Sequence, residues 1–393
     1  MKTIPAPVSS ARLHLLACAA SAALLVSTAC NDDPDAEAAN SPELASAASR
    51  ILDAHLARQE FPGAVLALQD PARGSALVTS GSTRPDAAGT PVDPEVPWAI
   101  GSATKMFVAV TLLQLAEEGQ IDLDASIAPF FPDLPHAAEI TARELLQHTS
   151  GLNEYIESPA VLSDAQRHWS ADELIDVAVA NGPLAAPGAE HHYANTNYIV
   201  LGELIEKLTG HAWYEEVHRR ILGPLGMSHT HYAGEAGAPA MGPGFAGADG
   251  MFVDATTLLD ASVGGAAGAM QSTASDLQRF ARQLRDGGLL DAQRQREMRS
   301  FVPAEPRGYV RHEYGLGFEK YVANEVTVYG HAGTAPAHGA FVGFDDTGLA
   351  ITVMVNVSNP ASAPLMALEA VGAISQRDVS PPADAIPPAA TAP

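Results

Sequence analysis

The stretch that most constrains the fold of this 393-residue chain is an apolar run that begins directly after a serine and a lysine. Ser102 and Lys105 are three residues apart, a spacing that places two side chains on one face of a helix, close enough to touch. The run from Met106 to Ala116 is apolar nearly all round, which is typical of a helix enclosed by protein on every side. Such a helix requires a large core, and its first turn brings a lysine to the edge of that core.

This serine–lysine pair has the chemistry of an activated nucleophile. A serine hydroxyl is a weak nucleophile until a base takes its proton, and a lysine is a base only where burial or nearby positive charge keeps it partly neutral. Free backbone N–H groups in the first turn of a helix also favour a developing oxyanion. The alternative is that Ser102 is an N-cap and Lys105 a solvated first-turn residue, because Ser-x-x-Lys often occurs by chance.

Charge and composition exclude some functions. The formal net charge of −24 argues against nucleic acid as a partner, because its phosphates would be repelled. The hydrophobic share of 47% indicates a globular protein, and the length allows two domains or one large domain.

The N-terminal 30 residues predict export. Lys2 and Arg12 precede the apolar run Leu13–Val26, which is too short to span a bilayer comfortably. The small residues before Cys30 resemble a bacterial lipoprotein signal, in which this cysteine is lipidated. We therefore expect residues 1–30 to be a signal peptide of a periplasmic or cell-envelope lipoprotein, with membrane contact only through the lipid. Cleavage after Ala29 and secretion is the alternative.

The cysteines and the two ends of the chain agree with this prediction. Cys18 and Cys30 are the only cysteines, so the mature chain has no thiol for a disulfide or a zinc site. Residues 31–49 are polar, acidic and alanine-rich and predict a linker. Residues 378–393 are rich in proline and alanine and predict a disordered tail.

The order of strand and helix signals predicts an α/β (α+β) fold. Strand signals occur near both ends and helix signals dominate the middle, so we expect an antiparallel sheet domain from residues 50–121 and 266–377, flanked by helices. Residues 122–265 are expected to form an inserted all-helical domain. The expected strands are Ala64–Gln69, Ser75–Ser80, Tyr314–Val322, Glu325–Tyr329, His338–Phe344 and Leu349–Val355.

Two further stretches carry chemistry. Tyr193 can relay protons, and the side chain of Asn195 can bind a substrate amide. Gly333 follows a predicted strand and would let a substrate backbone pair with its edge, while His331 can supply positive charge or a hydrogen bond. The N–H of Thr334 can face the serine. The alternative is a core tyrosine, an N-cap asparagine and a satisfied histidine at the end of a strand.

Together, three ordered motifs resemble the penicillin-recognising serine hydrolases. The nearest branches are the class C β-lactamases, the D-alanyl-D-alanine carboxypeptidases and related esterases, and the resemblance runs from about Phe61 to Asn356. It implies a β-lactamase/transpeptidase-like fold. The motifs are Ser102-x-x-Lys105, Tyr193-x-Asn195 and His331-x-Gly333.

The resemblance implies a role for each matching residue. Ser102 would form an acyl-enzyme, while Lys105 and Tyr193 would transfer its proton, with the identity of the base left open. Asn195 would hold the substrate amide, and the backbone N–H groups of Ser102 and Thr334 would form the oxyanion hole.

The third motif would complete the substrate site. His331 would help to hold the tyrosine deprotonated and would bind a substrate carboxylate, beside the strand edge at Gly333. The resemblance implies neither a metal nor a cofactor.

Two departures from the family pattern bear on the substrate. His331 replaces a lysine, and Ala332 replaces a threonine whose hydroxyl would bind a carboxylate. Lys320 or Arg311 is a candidate to bind the carboxylate instead, and the alternative is that each is a solvated surface charge. We predict an exported serine hydrolase, foremost a D-alanyl-D-alanine carboxypeptidase-like peptidase that acts on small cell-wall peptides. The alternatives are an esterase or weak β-lactamase with the same site, and a binding lipoprotein without turnover.

Overall fold

The structure is a computed structural model that describes residues 40–359 and 362–381. The predicted signal peptide, Cys30, residues 31–39 of the acidic linker and most of the C-terminal tail lie outside these residues. The linker prediction is wrong for residues 42–49, which belong to the first helix. None of the helices in the described ranges has both the length and the apolar character needed to cross a bilayer.

Eleven α-helices form within the described ranges. In chain order they are α1 Pro42–Ala57, α2 Thr104–Glu117, α3 Ala142–Leu146, α4 Pro159–Leu162, α5 Ala171–Ala180, α6 Thr196–Thr209, α7 Trp213–Val217, α8 Ala261–Gly268, α9 Ala274–Asp286, α10 Ala292–Met298 and α11 Ser362–Ser375. A 3-10 turn, Gly101–Ala103, leads into α2, and a π-helical turn, His218–Leu222, continues α7. The capping boxes that begin α3 and α5 form through Thr141 and Ser170, as their sequences indicate.

Thirteen strands form in the same ranges. They are β1 Gly63–Asp70, β2 Gly74–Gly81, β3 Trp98–Ala99, β4 His231–Tyr232, β5 Phe245–Ala248, β6 Met251–Asp254, β7 Met270–Ser272, β8 Val302–Pro303, β9 Arg311–Tyr314, β10 Glu319–Ala323, β11 Val326–Thr334, β12 Gly339–Asp345 and β13 Ala350–Val355.

Both ends of the described chain build one antiparallel sheet. Its strand order is β2-β1-β13-β12-β11-β10-β9-β8, so the first hairpin pairs directly with the last strand, with Ala64 opposite Val355. The α/β class and the antiparallel sheet flanked by helices are therefore confirmed. The boundaries of the inserted helical domain stay a prediction.

Helices cover both faces of this sheet. On one face α1 and α11 pack together against the strands, and on the other α9 packs against β1, β12 and β13. The helix α2 contacts α6, α7 and α8 on one side and β11 on the other. Its side chains from Thr104 to Leu113 are all buried, which agrees with the enclosed helix expected from its sequence.

The predicted strand Tyr314–Val322 is wrong in one respect, because it is two strands separated by a turn. The turn contains Gly315 and Gly317, and Gly317 has a φ of +66°, which side chains rarely adopt. It sits so close to α2 that a Cβ there would overlap the Cβ of Ala109, and it would also lie 2.7 Å from the hydroxyl of Tyr198 on α6. Residues 233–250 are rich in glycine, proline and alanine, a composition typical of a loop. They nevertheless contain the strand β5, which pairs with β6.

The end of β11 lies directly against the 3-10 turn that carries Ser102. This approach requires glycine on both sides: a Cβ at Gly101 would lie 2.6 Å from the backbone of Thr334, and a Cβ at Gly333 would overlap the carbonyl oxygen of Ile100. The two glycines therefore fix the distance between the serine turn and the sheet.

We expect Gly333→Ala to lower the free energy of unfolding by about 1–3 kcal/mol, because the new methyl group overlaps backbone that has little room to shift. Thermal unfolding of the full chain measures this change. Gly268→Ala is the control, because Gly268, like Gly333, does not have a positive φ, but an added Cβ there would meet only ordinary van der Waals contacts, the nearest at 3.7 Å. Equal unfolding temperatures for Gly333→Ala and wild type would contradict the close approach.

Candidate active site

Ser102 lies in the 3-10 turn at the mouth of a cleft. Its turn is held by a backbone hydrogen bond from Ile100 to Met270, and its side chain is half-buried at the cleft wall. The cleft has a volume of about 460 Å³. Two other cavities of similar volume, about 500 and 510 Å³, are lined by other residues, so the cleft is identified by the serine rather than by its size.

The amine of Lys105 is fully buried and has three polar neighbours. Its Nζ lies 3.1 Å from the Oγ of Ser102, 2.7 Å from the Oδ1 of Asn195 and 2.7 Å from the carbonyl oxygen of Ala267. Burial lowers the pKa of Lys105 to about 7, and the carboxylates of Glu154 and Glu319 offset part of that effect. A substantial fraction of the amine is thus neutral near pH 7.

The neutral form of this amine has only one possible orientation. A neutral amine has two N–H donors and one lone pair, whereas the oxygens of Asn195 and Ala267 can only accept. Both N–H groups therefore go to those two oxygens, and the lone pair is left facing the hydroxyl of Ser102. The geometry is that of a general base in contact with a nucleophile.

Tyr193 contacts the same serine from the loop before α6. Its hydroxyl lies near enough to the side chain of Ser102 for that side chain to lower the phenol pKa, and its ring centre lies 4.9 Å from the Nζ of Lys105. Desolvation, with the nearby charge of Glu319, raises the pKa of the Tyr193 phenol above its ordinary value. The phenol is therefore protonated at neutral pH and is suited to donate a proton.

His148 holds the loop on both sides of this tyrosine. Its carbonyl oxygen accepts from the N–H of His192 at 2.9 Å, and its Nδ1 accepts from the N–H of Ala194 at 3.3 Å. The ring also packs on Tyr193 with a centroid distance of 4.2 Å. The φ of His148 is +59°, a left-handed backbone conformation that is typical of a turn.

Asn195 occupies the N-cap position of α6 but its side chain does not cap the helix. Instead, Oδ1 accepts from Lys105, while Nδ2 donates to Glu154 at 2.9 Å. An amide nitrogen has two N–H groups, so one remains for a substrate carbonyl in the cleft. The helix-cap interpretation of Asn195 is therefore wrong for its side chain.

At the end of β11, beside Ser102, the backbone of one residue is free to hydrogen-bond to a substrate. The N–H of Ala335 donates to the carbonyl of His338 at 2.8 Å, and hydrogen-bonded pairs alternate along an antiparallel ladder. The N–H of Thr334, one residue earlier, therefore points away from β12 and toward the serine turn. It is placed, with the N–H of Ser102, where an oxyanion hole is needed.

His331 lies behind this edge and does not line the cleft. Its Nε2 accepts from the hydroxyl of Tyr314 at 2.8 Å, and its Nδ1 lies 2.5 Å from the carbonyl of Ala332. Burial lowers the pKa of His331 to about 4, although Glu319 acts in the opposite direction. The expectation that His331 binds a substrate carboxylate is wrong in this structure, because the ring is buried and both of its nitrogens are hydrogen-bonded within the protein. Its Nδ1 also lies 3.3 Å from the carboxylate of Glu319.

The two proposed substitutes for a carboxylate partner are also engaged elsewhere. Lys320 lies 2.9 Å from Glu313, and Arg311 lies 3.4 Å from the same carboxylate. Neither lines the cleft. Among the described residues that line it there is no lysine or arginine, and the titratable groups other than tyrosines are Asp260, His168 and His338.

Two carboxylates of this region were not found from the sequence. Glu154 binds Asn195, and Glu319 accepts from the N–H of Ala332 at 2.6 Å and the hydroxyl of Tyr321 at 2.5 Å. Glu154 had no local signal, because it lies in a loop and its partner Asn195 is 41 residues away. Glu319 had no local signal either, because it lies inside a stretch whose sequence predicts an ordinary strand.

Comparison with known proteins places these residues in a family. The Beta-lactamase family model matches residues 48–374. Penicillin-binding protein 4 of Amycolatopsis lactamdurans is 28% identical over 253 residues, which are 60% of this chain and 65% of that protein, so the match spans just under two thirds of the relative.

Solved structures are similar over most of the chain. The D-amino acid amidase of Ochrobactrum anthropi SV3, complexed with L-phenylalanine amide, is 30% identical, with a TM-score of 0.78, over 85% of this chain and 99% of that one. A D-stereospecific amidohydrolase from Streptomyces sp. is 31% identical, with a TM-score of 0.71, over 84% and 98%. The chain belongs to the beta-lactamase family of serine hydrolases.

Proposed function

We propose that the protein hydrolyses amides or esters of D-amino acids, or of short peptides that begin with one, through an acyl-enzyme at Ser102. The observation that carries the substrate class is the cleft wall, which among its described residues presents no lysine or arginine to a substrate carboxylate. The similarity to two D-specific amide hydrolases supports the same choice.

In the proposed acylation, the lone pair of Lys105 takes the hydroxyl proton of Ser102 while Oγ attacks the substrate carbonyl. The resulting oxyanion accepts hydrogen bonds from the N–H groups of Ser102 and Thr334, each typically worth about 3 kcal/mol. The bond between carbon and the leaving nitrogen or oxygen then breaks. The proton held by Lys105 passes to the leaving atom, with the phenol of Tyr193 as the relay.

Deacylation repeats the same sequence with water. Lys105 accepts a proton from the water as its oxygen attacks the ester carbonyl, and the proton returns to the Oγ of Ser102 as the acid leaves. The second N–H of Asn195 holds the substrate amide in both steps.

A carboxypeptidase that acts on D-alanyl-D-alanine is the second candidate, favoured by the similarity to a penicillin-binding protein. Such a substrate ends in a carboxylate close to the bond that breaks. A buried carboxylate requires a charged or multiply hydrogen-bonded partner, and the described cleft wall offers Asp260 rather than a cation. For this reason we place amide and ester substrates first.

A matched pair of peptides tests the substrate class: acetyl-D-Ala-D-Ala and the same dipeptide with a C-terminal amide. We expect kcat/KM for the amide to be at least equal to that for the acid, and D-phenylalanine p-nitroanilide to be cleaved faster than its L-enantiomer. Ser102→Ala, which removes the nucleophile, should abolish all three activities by on the order of 10⁶-fold. A preference of about tenfold or more for the free acid would favour the carboxypeptidase instead.

The pH dependence of kcat/KM tests the base. Because the pKa of Lys105 is lowered to about 7 and only the neutral amine can accept a proton, kcat/KM should fall tenfold per pH unit below about pH 7. Lys105→Met keeps the length and apolar packing of the side chain, and it should remove this limb together with at least about 10⁴-fold of the rate. A limb that persists in Lys105→Met would assign the base to another group.

We further propose that the chain is exported and lipidated at Cys30, on the basis of its N-terminal sequence. Metabolic labelling with radioactive palmitate in a bacterial host measures this modification directly. Label should enter the wild-type protein and be lost in Cys30→Ser, whereas Cys18→Ser should retain it. A wild-type protein without label would leave secretion without a lipid as the better interpretation, and equal labelling of Cys30→Ser and wild type would place the lipid on another residue.

A further inference from the structure

The carboxylate of Glu154 gathers four N–H donors at one end of the cleft. Its Oε1 accepts from the backbone N–H groups of Tyr155 at 2.8 Å and Ile156 at 2.9 Å. Its Oε2 accepts from Asn195 twice, from the backbone N–H at 2.7 Å and from Nδ2 at 2.9 Å. One oxygen therefore orders the loop of Glu154, and the other holds the asparagine.

This arrangement determines which end of the Asn195 amide faces the lysine. A carboxylate oxygen can only accept hydrogen bonds, so it selects the NH₂ end of the amide. The carbonyl end, Oδ1, is then turned toward Nζ of Lys105, 2.7 Å away. The opposite orientation would place two acceptors against each other at Glu154 and two sets of donors against each other at Lys105.

The orientation of the amide in turn fixes the lone pair of Lys105. The neutral amine sends its two N–H groups to Oδ1 of Asn195 and to the carbonyl of Ala267. If the amide were reversed, its NH₂ group would face Nζ and would attract the lone pair away from Ser102. One N–H of the amine would also lose its acceptor inside a buried site, which is costly.

We propose that Glu154 is a positioning residue for acylation: it fixes the Asn195 amide and thereby directs the base at Ser102. The inference rests on the proposed role of Lys105 as the base. Glu154 itself need not touch the substrate, since it acts through the asparagine.

The charge of Glu154 has a second effect that a purely structural residue would lack. Burial lowers the pKa of Lys105, and the negative charges of Glu154 and Glu319 raise it again, with Glu154 the larger of the two. The titratable groups that face this amine are Glu154, Glu319, His148, His331, Tyr193 and Tyr198. Removing the negative charge of Glu154 should lower the pKa of Lys105 further.

Glu154→Gln distinguishes the role of one carboxylate oxygen in ordering the loop from the role of the other in holding Asn195. The glutamine retains one carbonyl oxygen for the N–H groups of Tyr155 and Ile156, but its NH₂ group then faces the donors of Asn195. The control is Glu215→Gln, because Glu215 also accepts a backbone N–H, from Ala212 at 3.1 Å, but does so before α7 and away from the cleft lining.

The second-order rate of labelling by a fluorophosphonate reports the reactivity of Ser102 without assuming a substrate. We expect Glu154→Gln to slow labelling on the order of 10²-fold, because a small misplacement of a catalytic group has an effect of that size. Glu215→Gln should label like wild type. The acid limb of the rate against pH should move to lower pH in Glu154→Gln, and Glu154→Asp, which keeps the charge, should recover part of the rate.

A double-mutant cycle tests whether Glu154 acts through Asn195. In an Asn195→Ala background, Glu154→Gln should change the labelling rate by less than about threefold, because the group that it orients is gone. A 10²-fold effect in both backgrounds, or wild-type labelling of Glu154→Gln, would overturn the inference. If Lys105→Met itself labelled like wild type, the proposed base would fail instead, so the two failures are distinguishable.

Discussion

The buried contact between the amine of Lys105 and the hydroxyl of Ser102 is the interaction on which the rest of the structure depends. A charged amine is expensive to bury, so a lysine without exposed surface is tolerated only when it can be neutral or well paired. The fold surrounds α2 with helices on one side and with β11 on the other, and this enclosure brings the pKa of Lys105 to about 7. Desolvation thus keeps part of the amine neutral, so that it can act as a base. The oxygens of Asn195 and Ala267 bind its two N–H groups and so orient its lone pair toward Ser102.

The reaction centre also depends on backbone contact between two parts of the chain that lie more than 200 residues apart. Gly101 and Gly333 allow the serine turn and β11 to meet without side chains between them. The two N–H groups of the proposed oxyanion hole then come from rigid elements, a helix start and a strand end. Donors held in this way need no reorganisation when charge develops on the substrate.

Much of this arrangement could be predicted from local sequence. The apolar run after Lys105 predicted an enclosed helix, and the strand signals near both ends predicted a single sheet, because these patterns depend on neighbouring residues. The Tyr314–Val322 stretch was misjudged because the contact of Gly317 with α2 breaks it, and that contact is a tertiary one. Glu154 was missed for the same reason: its partner Asn195 is 41 residues away, and a lone glutamate in a loop carries no signal of it.

His331 illustrates how a correct motif can lead to a wrong role. Its position in the sequence matches a family site for positive charge, but Tyr314 and the carbonyl of Ala332 take both ring nitrogens. Glu319 then takes the N–H of Ala332, so both backbone groups of Ala332 that face away from β12 are satisfied within the protein.

This internal network limits how a substrate can bind to the strand. Pairing between β10 and β11 ends at Gly330, which leaves residues 331–334 of β11 without a partner strand on that side. An extended peptide would normally pair with alternate residues of such an edge. Because Ala332 is already satisfied, the edge offers hydrogen bonds at Thr334 alone. A single amino acid amide needs one such contact, whereas a longer peptide would leave its next backbone groups unpaired. The strand edge thus favours short substrates, and the cleft wall without lysine or arginine favours substrates without a carboxylate.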